Sequence, residues 1–334
     1  MARDRRRCGS TGRPFSMYRW SIVIVSSRES VSKLLDCMHS AVVAAGKVPT
    51  SVDVMVNGNR ALADAVARSV QQGELSNSPV GVRIWYIRVG DKANALNQYL
   101  HQVLLQSEVT FFLDGYVRVM PDALELLSER LALTPGAMAA GAIPRTRKSV
   151  KLHRQNVGKD GAMHGNLFAV RSEVCWRLRE RGFRVPLGTY WTDGLMGAVF
   201  CFGLDPAKNR WQPARIAAEP RATWEFDRAV WWRLNDLRGH FKRLLRQAQG
   251  RVENQAIRNH MAVQRKTAES LPQTSAELVE RWIAEFPAEA RKFLLRSPMS
   301  LLGLRKLRKP RDWSRVHEPP EVVGQNETAR RHSG

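Results

Sequence analysis

The chain has 334 residues, 43% of them hydrophobic. That is enough apolar material for one large α/β domain with a tail, and it excludes a chain that stays disordered for want of a core. Lys and Arg number 53 against 31 Asp and Glu, a formal net charge of +22, so a polyanion of some kind is a natural partner: nucleic acid, an anionic membrane surface or a phosphorylated substrate.

Residues 1–19 read as a disordered basic arm. Trp20 to Val25 (WSIVIV) is a short continuous apolar run rich in β-branched residues, the pattern of a strand buried on both faces. Ser30 to Ala45 has helical spacing. Val52 to Val56 is a second strand ending at Asn57-Gly58-Asn59, Ala61 to Gln71 a second helix, and Val82 to Val89 a third strand. Lys92 to Gln106 is a third helix, and Val109 to Leu113 a fourth strand that ends at Asp114-Gly115. This alternation predicts a doubly wound, mostly parallel α/β sheet with right-handed crossovers. The segments after each strand, 26–29, 57–59, 90–92 and 114–116, should then converge on one crevice at the carboxyl ends of the strands.

Beyond residue 135 the alternation breaks down. Met138 to Ile143 and Met163 to Val170 are candidate strands, and Glu173 to Arg181 a short helix. Arg228 to about Lys266 reads as one or two long basic helices, and Ser275 to Arg296 as helix interrupted at Pro287. The polar tail after Pro310 reads as disordered. The domain division is therefore an arm over 1–19, an α/β domain over 20–225 in two parts (20–120 and 121–225), a basic helical region over 226–310 and a tail over 311–334.

Three segments carry chemistry. In FFLDGYV (111–117) a strand delivers Asp114 to the sheet edge, where a carboxylate can hold a divalent cation or a ribose hydroxyl, or serve as the first residue of a turn. Gly90 to Asn97 opens a helix with Lys92 positioned as a cation for a diphosphate, or as an ordinary exposed lysine. Tyr190-Trp191-Thr192-Asp193-Gly194 offers a general base at the crevice mouth, or a helix N-cap.

Taken in order, these segments resemble family 2 glycosyltransferases of the GT-A kind. SIVIVSSRES is similar to that family's opening strand and loop, VDVMVNGN to its second strand, GDKANALN to its Gly-Lys-x-x-Ala-Leu-Asn segment, and FFLDGYVRVMPDAL to its Asp-x-Asp strand. MHGNLFAVRSEV and PLGTYWTDGLM resemble two later elements, the second of which supplies the base. The resemblance runs from about residue 20 to 200. It implies a GT-A-like, Rossmann-type sheet with a helical C-terminal extension. It also implies inverting transfer of a sugar from a nucleoside-diphosphate donor to a hydroxyl of a glycan or lipid-linked acceptor. In that scheme Asp193 is the catalytic base, and Ser26, Glu29, Asn57, Lys92 and Asp114 bind the donor. His164, Tyr190 and Trp191 contact the acceptor, with aromatic rings against sugar faces.

Two departures bear on the chemistry. Asn57 stands where the family has Asp, and Tyr116 replaces the second carboxylate of Asp-x-Asp, the one usually on the metal. Asp114 with the donor diphosphate can still hold Mg²⁺ or Mn²⁺. Lys92 or Arg147 can instead neutralise the leaving group. An inactive scaffold that binds nucleic acid or membrane is the alternative class, although the chain has no helix-turn-helix, zinc-finger or RNP pattern. A sugar-nucleotide pyrophosphorylase would need a Gly-rich loop after the first strand, and SSRES is not one.

Cys8, Cys37, Cys175 and Cys201 fit neither zinc spacing nor a disulfide framework, so free thiols and a cytosolic setting are expected. The N-terminus lacks the apolar run of a signal peptide, and no stretch reaches the ~18 apolar residues of a membrane span. A cytoplasmic or peripheral location follows as an expectation. The interleaving of Phe293, Leu294, Leu295 and 299–304 with Arg291, Lys292, Arg296, Arg305, Lys306, Arg308 and Lys309 suggests an anionic lipid surface or, equally, a solvated basic helix.

Overall fold

The computed structural model describes residues 18–73, 75, 80–145, 163–226 and 234–331. The strands are β1 (Trp20–Ser26), β2 (Thr50–Asn57), β3 (Gly81–Ile87), β4 (Val109–Asp114), β5 (Arg118–Val119), β6 (Ala139–Pro144), β7 (Leu167–Arg171), β8 (Ile216–Glu225) and β9 (Glu321–Gln325). They form one nine-stranded sheet in the order β5-β8-β6-β7-β4-β1-β2-β3-β9. β3, β2, β1 and β4 are neighbours and all parallel, as the alternation in the sequence requires. β7 is antiparallel to β4 and to β6, while β6 and β8 run parallel to each other. The fold is thus α/β, with a mostly parallel sheet and a helical C-terminal region.

The helices are α1 (Val31–Ala45), α2 (Arg60–Gln71), α3 (Lys92–Gln98), α4 (Ala123–Leu133), α5 (Ser172–Glu180), α6 (Thr192–Cys201), α7 (Leu234–Arg258), α8 (Ser275–Glu285), α9 (Pro287–Leu295), α10 (Pro298–Leu307) and α11 (Glu327–Arg331). Their starts follow local chemistry. Ser30, Asn59 and Asp91 cap α1, α2 and α3 by accepting the N–H of Lys33, Leu62 and Asn94. Thr274 and Glu277 form a capping box on α8. Pro287, expected to interrupt a helix, opens α9 at a position where its missing N–H costs nothing.

Alternation along each central strand builds two cores. Ile22 and Ile24 of β1, with Phe111 and Leu113 of β4, meet α1, α2 and α4 through Leu34, Met38, Val66 and Leu127. Val23, Val25 and Phe112 face the other way, onto Leu96, Tyr99, Val199, Phe200 and Trp282. A sheet covered on both faces needs such continuous apolar runs.

Four expectations need correction or limits. The third helix is α-helical only to Gln98 and continues as a π turn over Tyr99–Val103. The strand sought over 163–170 is confined to Leu167–Arg171, and Gly165-Asn166 form the turn before it, with His164 just ahead. The tail is not disordered over its described part. β9 adds antiparallel to the β3 edge, and Asn326 accepts the Val82 N–H at 3.0 Å and donates to Val80 O at 2.9 Å. Period-2 polarity is weak there, but an open sheet edge rewards any strand that can cover its unpaired amides. The basic arm falls outside the described residues except for Tyr18 and Arg19, as do Cys8 and Arg147; Arg19 pairs with Glu108 at 2.8 Å.

Candidate active site

The four post-strand loops meet at the carboxyl ends of β1, β2, β3 and β4. Asn57 donates to the Ser26 carbonyl at 2.8 Å, and Asn59 to the Ser27 carbonyl at 3.0 Å. Gly58, at φ +68°, lies so close to Gly90 that a Cβ would stand 2.4 Å from the Gly90 Cα. Only glycine permits both that backbone angle and that approach.

Ser26, Glu29 and Asn57 form a self-bonded cluster. One oxygen of Glu29 accepts the Ser26 hydroxyl at 2.6 Å and the N–H groups of Ser27 and Arg28 at 2.7 and 2.9 Å. Burial works to raise this carboxyl, but these hydrogen bonds, with one from its own backbone N–H, outweigh it and hold it below the ordinary Glu range. Glu29 therefore shapes the β1–α1 loop as well as edging the crevice.

Lys92 and Asp114 form the centre. The Lys92 ammonium is 2.5 Å from Asp114 Oδ1. The other oxygen accepts the Tyr116 hydroxyl at 3.2 Å, and that hydroxyl also lies 3.2 Å from Asn166 Oδ1. Burial raises the Asp114 carboxyl, Lys92 pulls it back only in part, and the nearby Asp193 pushes it up again. Burial works against the Lys92 charge too, but the facing Asp114 and Asp193 outweigh it, so the lysine is held cationic. Desolvation and the Asp114 charge push the Tyr116 phenol far up, so it stays a donor.

Asp193 lies in the first turn of α6 and is not its N-cap: that position is Trp191, with no side-chain cap bond. Its Oδ2 accepts the Gly165 N–H at 2.9 Å. A narrow pocket is lined by Lys92, Asp114, Gly165, Thr192 and Asp193, with Phe112, Phe168 and Met196 as its apolar wall. Ser26, Glu29 and Asn57 are outside it, in the adjoining loop cluster. His164 packs its ring 4.7 Å from that of Trp224, next to Gly165. Tyr190 and Trp191 are half-buried neighbours packed over Gly250 of α7, where a Cβ would meet the Trp191 ring at 2.8 Å.

Several residues that hold this geometry have little sequence signal. Asn166 also accepts, through its carbonyl, the Asp114 N–H at 3.3 Å. Asn97 clamps both backbone groups of Val185 at 2.8 Å, tying α3 to the loop that leads to Asp193. Buried Glu253 accepts the Tyr190 N–H at 2.8 Å. Arg311 bonds Asp91 and the Gly90 carbonyl, both at 3.3 Å, and so straps the C-terminal region onto the β3–α3 loop. The Lys306 ammonium is pushed down first by burial and then by Arg246, with Arg28 and Arg311 adding to it, while Glu253 pulls the other way.

The residues present do not fit a protein-held divalent cation. At nucleotide sites such an ion is held by one or two free carboxylates together with substrate phosphates and waters. Asp114 is the one carboxylate offered by the Asp-Gly-Tyr segment, and both its oxygens are engaged. Among the described residues no group of three His, Cys, Asp or Glu could hold a metal. Cys37, Cys175 and Cys201 are buried free thiols, and Cys37 Sγ donates to the Asp114 carbonyl at 3.6 Å.

No protein-family model matches the chain, and no curated protein matches it. Similar solved structures include a mannosyltransferase from Pyrobaculum calidifontis in complex with GDP-mannose and Mn²⁺. It is 18% identical, with 86% of this chain and 84% of that one covered, at a TM-score of 0.48. A second is glucosyl-3-phosphoglycerate synthase from Mycobacterium tuberculosis with Mn²⁺, UDP-glucose and phosphoglyceric acid, at 15% identity, 73% and 80% coverage and a TM-score of 0.45. A third is GalNAc-T7 with UDP, GalNAc and Mn²⁺, at 13% identity, 85% and 59% coverage and 0.42.

Proposed function

We propose that the chain is an inverting glycosyltransferase, similar to family 2, that moves a hexosyl group from a nucleoside-diphosphate donor to a hydroxyl of a glycan or glycolipid. The observation that carries this reading is the convergence of Asp193, Lys92 and Asp114 in one pocket at the carboxyl ends of parallel strands. In the reaction, Asp193 takes the proton of the acceptor hydroxyl as its oxygen attacks the anomeric carbon. The bond from that carbon to the diphosphate oxygen breaks, and its electron pair leaves with the nucleoside diphosphate. A single displacement from the opposite face inverts the centre. The Gly165 N–H orients the carboxylate from behind. Ser26, Glu29 and Asn57 edge the nucleoside, Asp114 meets the ribose side, and His164, Tyr190 and Trp191 present rings to the acceptor.

The test is a thermal-shift screen of nucleotide sugars with wild type and Asp114→Ala, followed by single-turnover assays on the donor that shifts. A donor-specific shift lost in a folded Asp114→Ala protein is expected. Shifts by none of the donors, or normal turnover by the variant, would end the assignment.

The acceptor side of this reading includes peripheral docking on the cytoplasmic face of an anionic membrane, in polysaccharide or glycolipid synthesis. Among the described residues no helix is long and apolar enough to cross a membrane. The support is three exposed leucines, Leu295, Leu301 and Leu302, in a stretch that also carries exposed Arg291, Lys292, Arg296, Arg305 and Lys309. Each such cation near the lipid contributes about 1 kcal/mol. Co-sedimentation with phosphatidylserine vesicles should fall with salt and with Leu301→Glu/Leu302→Glu. Equal pelleting of wild type and variant would remove the membrane from the proposal.

A further inference from the structure

Breaking the donor's glycosidic bond leaves a growing negative charge on a diphosphate oxygen, and some cation must meet it. The position at which a metal would be held is already taken in this protein. Lys92 sits on one oxygen of Asp114 at 2.5 Å, and Tyr116, in place of a second carboxylate, donates to the other. A divalent ion seated on Asp114 would have to expel the ammonium or share the carboxylate with it, against direct charge repulsion. An ammonium has three N–H donors, and Asp114 uses one of them. The remainder can reach diphosphate oxygens while Asp114 keeps the lysine in place.

Resting on the glycosyltransferase reading above, we propose that Lys92 is the cation of this site and that sugar transfer needs no divalent metal. Lys92 remains an ammonium throughout. It donates hydrogen bonds to the leaving diphosphate, whose new charge comes from the electron pair of the broken anomeric bond. Asp114 is a positioning residue for Lys92, and Tyr116 fixes Asp114 from its other side. Arg311, bonded to Asp91 and to the Gly90 carbonyl just before Lys92, adds a second cation beside the same loop, which suits an anionic diphosphate better than a further metal charge.

The experiment uses the full chain and titration calorimetry with UDP and GDP as probes, in EDTA and in Mn²⁺. Wild type should bind one of them in EDTA, with an affinity that Mn²⁺ leaves within about threefold, less than one charged hydrogen bond would change it. Lys92→Met should weaken that binding by about 10- to 150-fold, the equivalent of a charged hydrogen bond, with the same melting cooperativity. The double variant Lys92→Met/Tyr116→Asp rebuilds two carboxylates and removes the competing charge, so its binding should become Mn²⁺-dependent. Should Lys92→Met fail to fold, Lys92→Gln and the wild-type EDTA comparison still decide. Binding by wild type that is lost in EDTA and restored by Mn²⁺ overturns the inference alone. Failure to bind either nucleotide under both conditions overturns the glycosyltransferase reading and this inference with it.

Discussion

Gly165 donates its backbone N–H to Oδ2 of Asp193 at 2.9 Å, and a Cβ at position 165 would stand 2.9 Å from Cγ of the same carboxylate. The carboxylate is thus oriented by a residue whose lack of a side chain is what lets it approach. Gly165→Ala should displace the carboxylate and cost about 10²-fold in kcat, because a misplacement near 1 Å is enough for that. The overpacking should destabilise the fold by about 1–3 kcal/mol. Kinetics and urea unfolding on one preparation separate the two effects.

Asp193→Asn tests the base. The amide oxygen can still accept from Gly165, so the loop should hold its shape. Transfer should fall by about 10²–10⁴-fold, while donor binding by calorimetry stays near wild type. Parallel loss of binding and turnover would mean that Asp193 holds the donor and does not take the proton.

Asp53 lies in the middle of β2 with no exposed side-chain area and binds Arg83 at 2.8 and 3.0 Å and the Trp85 indole N–H at 2.8 Å. Asp53→Ala leaves the Arg83 guanidinium largely buried and unpaired, and should cost about 3–5 kcal/mol in urea unfolding. Asp53→Ala/Arg83→Met, which removes both charges, should recover much of that loss.

Glu29 is a pH reporter with a defined sign. Its folded carboxyl is held below the ordinary value of 4.5. A lowered carboxyl contributes stability that is present above the unfolded value and lost as pH falls through the folded one. The stability gap between wild type and Glu29→Gln should therefore be constant at neutral pH. It should close as pH drops below about 4.5. Denaturant melts at stepped pH measure it; a gap that widens in acid would refute the sign.

Asn326→Ala should uncouple the last strand. Its side chain meets Val82 N–H, Val80 O and the Ala329 N–H, all buried. Leaving such groups unsatisfied costs about 1–3 kcal/mol. Amide exchange should quicken along β3, at residues 81–87, before it does along β1.

The sequence alone determined the central sheet, because a parallel sheet covered on both faces must be written as continuous apolar runs separated by capped helices. Ile22 to Val25 and Phe111 to Leu113 carry that requirement in their composition. It also marked Lys92, Asp114 and Asp193, since charged residues at strand ends and helix starts stand out against apolar runs. It did not reveal β9, whose stabilisation comes from the β3 edge it covers and not from its own pattern. Nor did it pair Lys92 with Asp114, put Tyr116 on the second oxygen, or set Gly165 behind Asp193. Those contacts join residues 22 and 28 positions apart, or depend on the turn between two strands. Local propensity has no term for them. Only closure of the sheet brings the loops within hydrogen-bond reach.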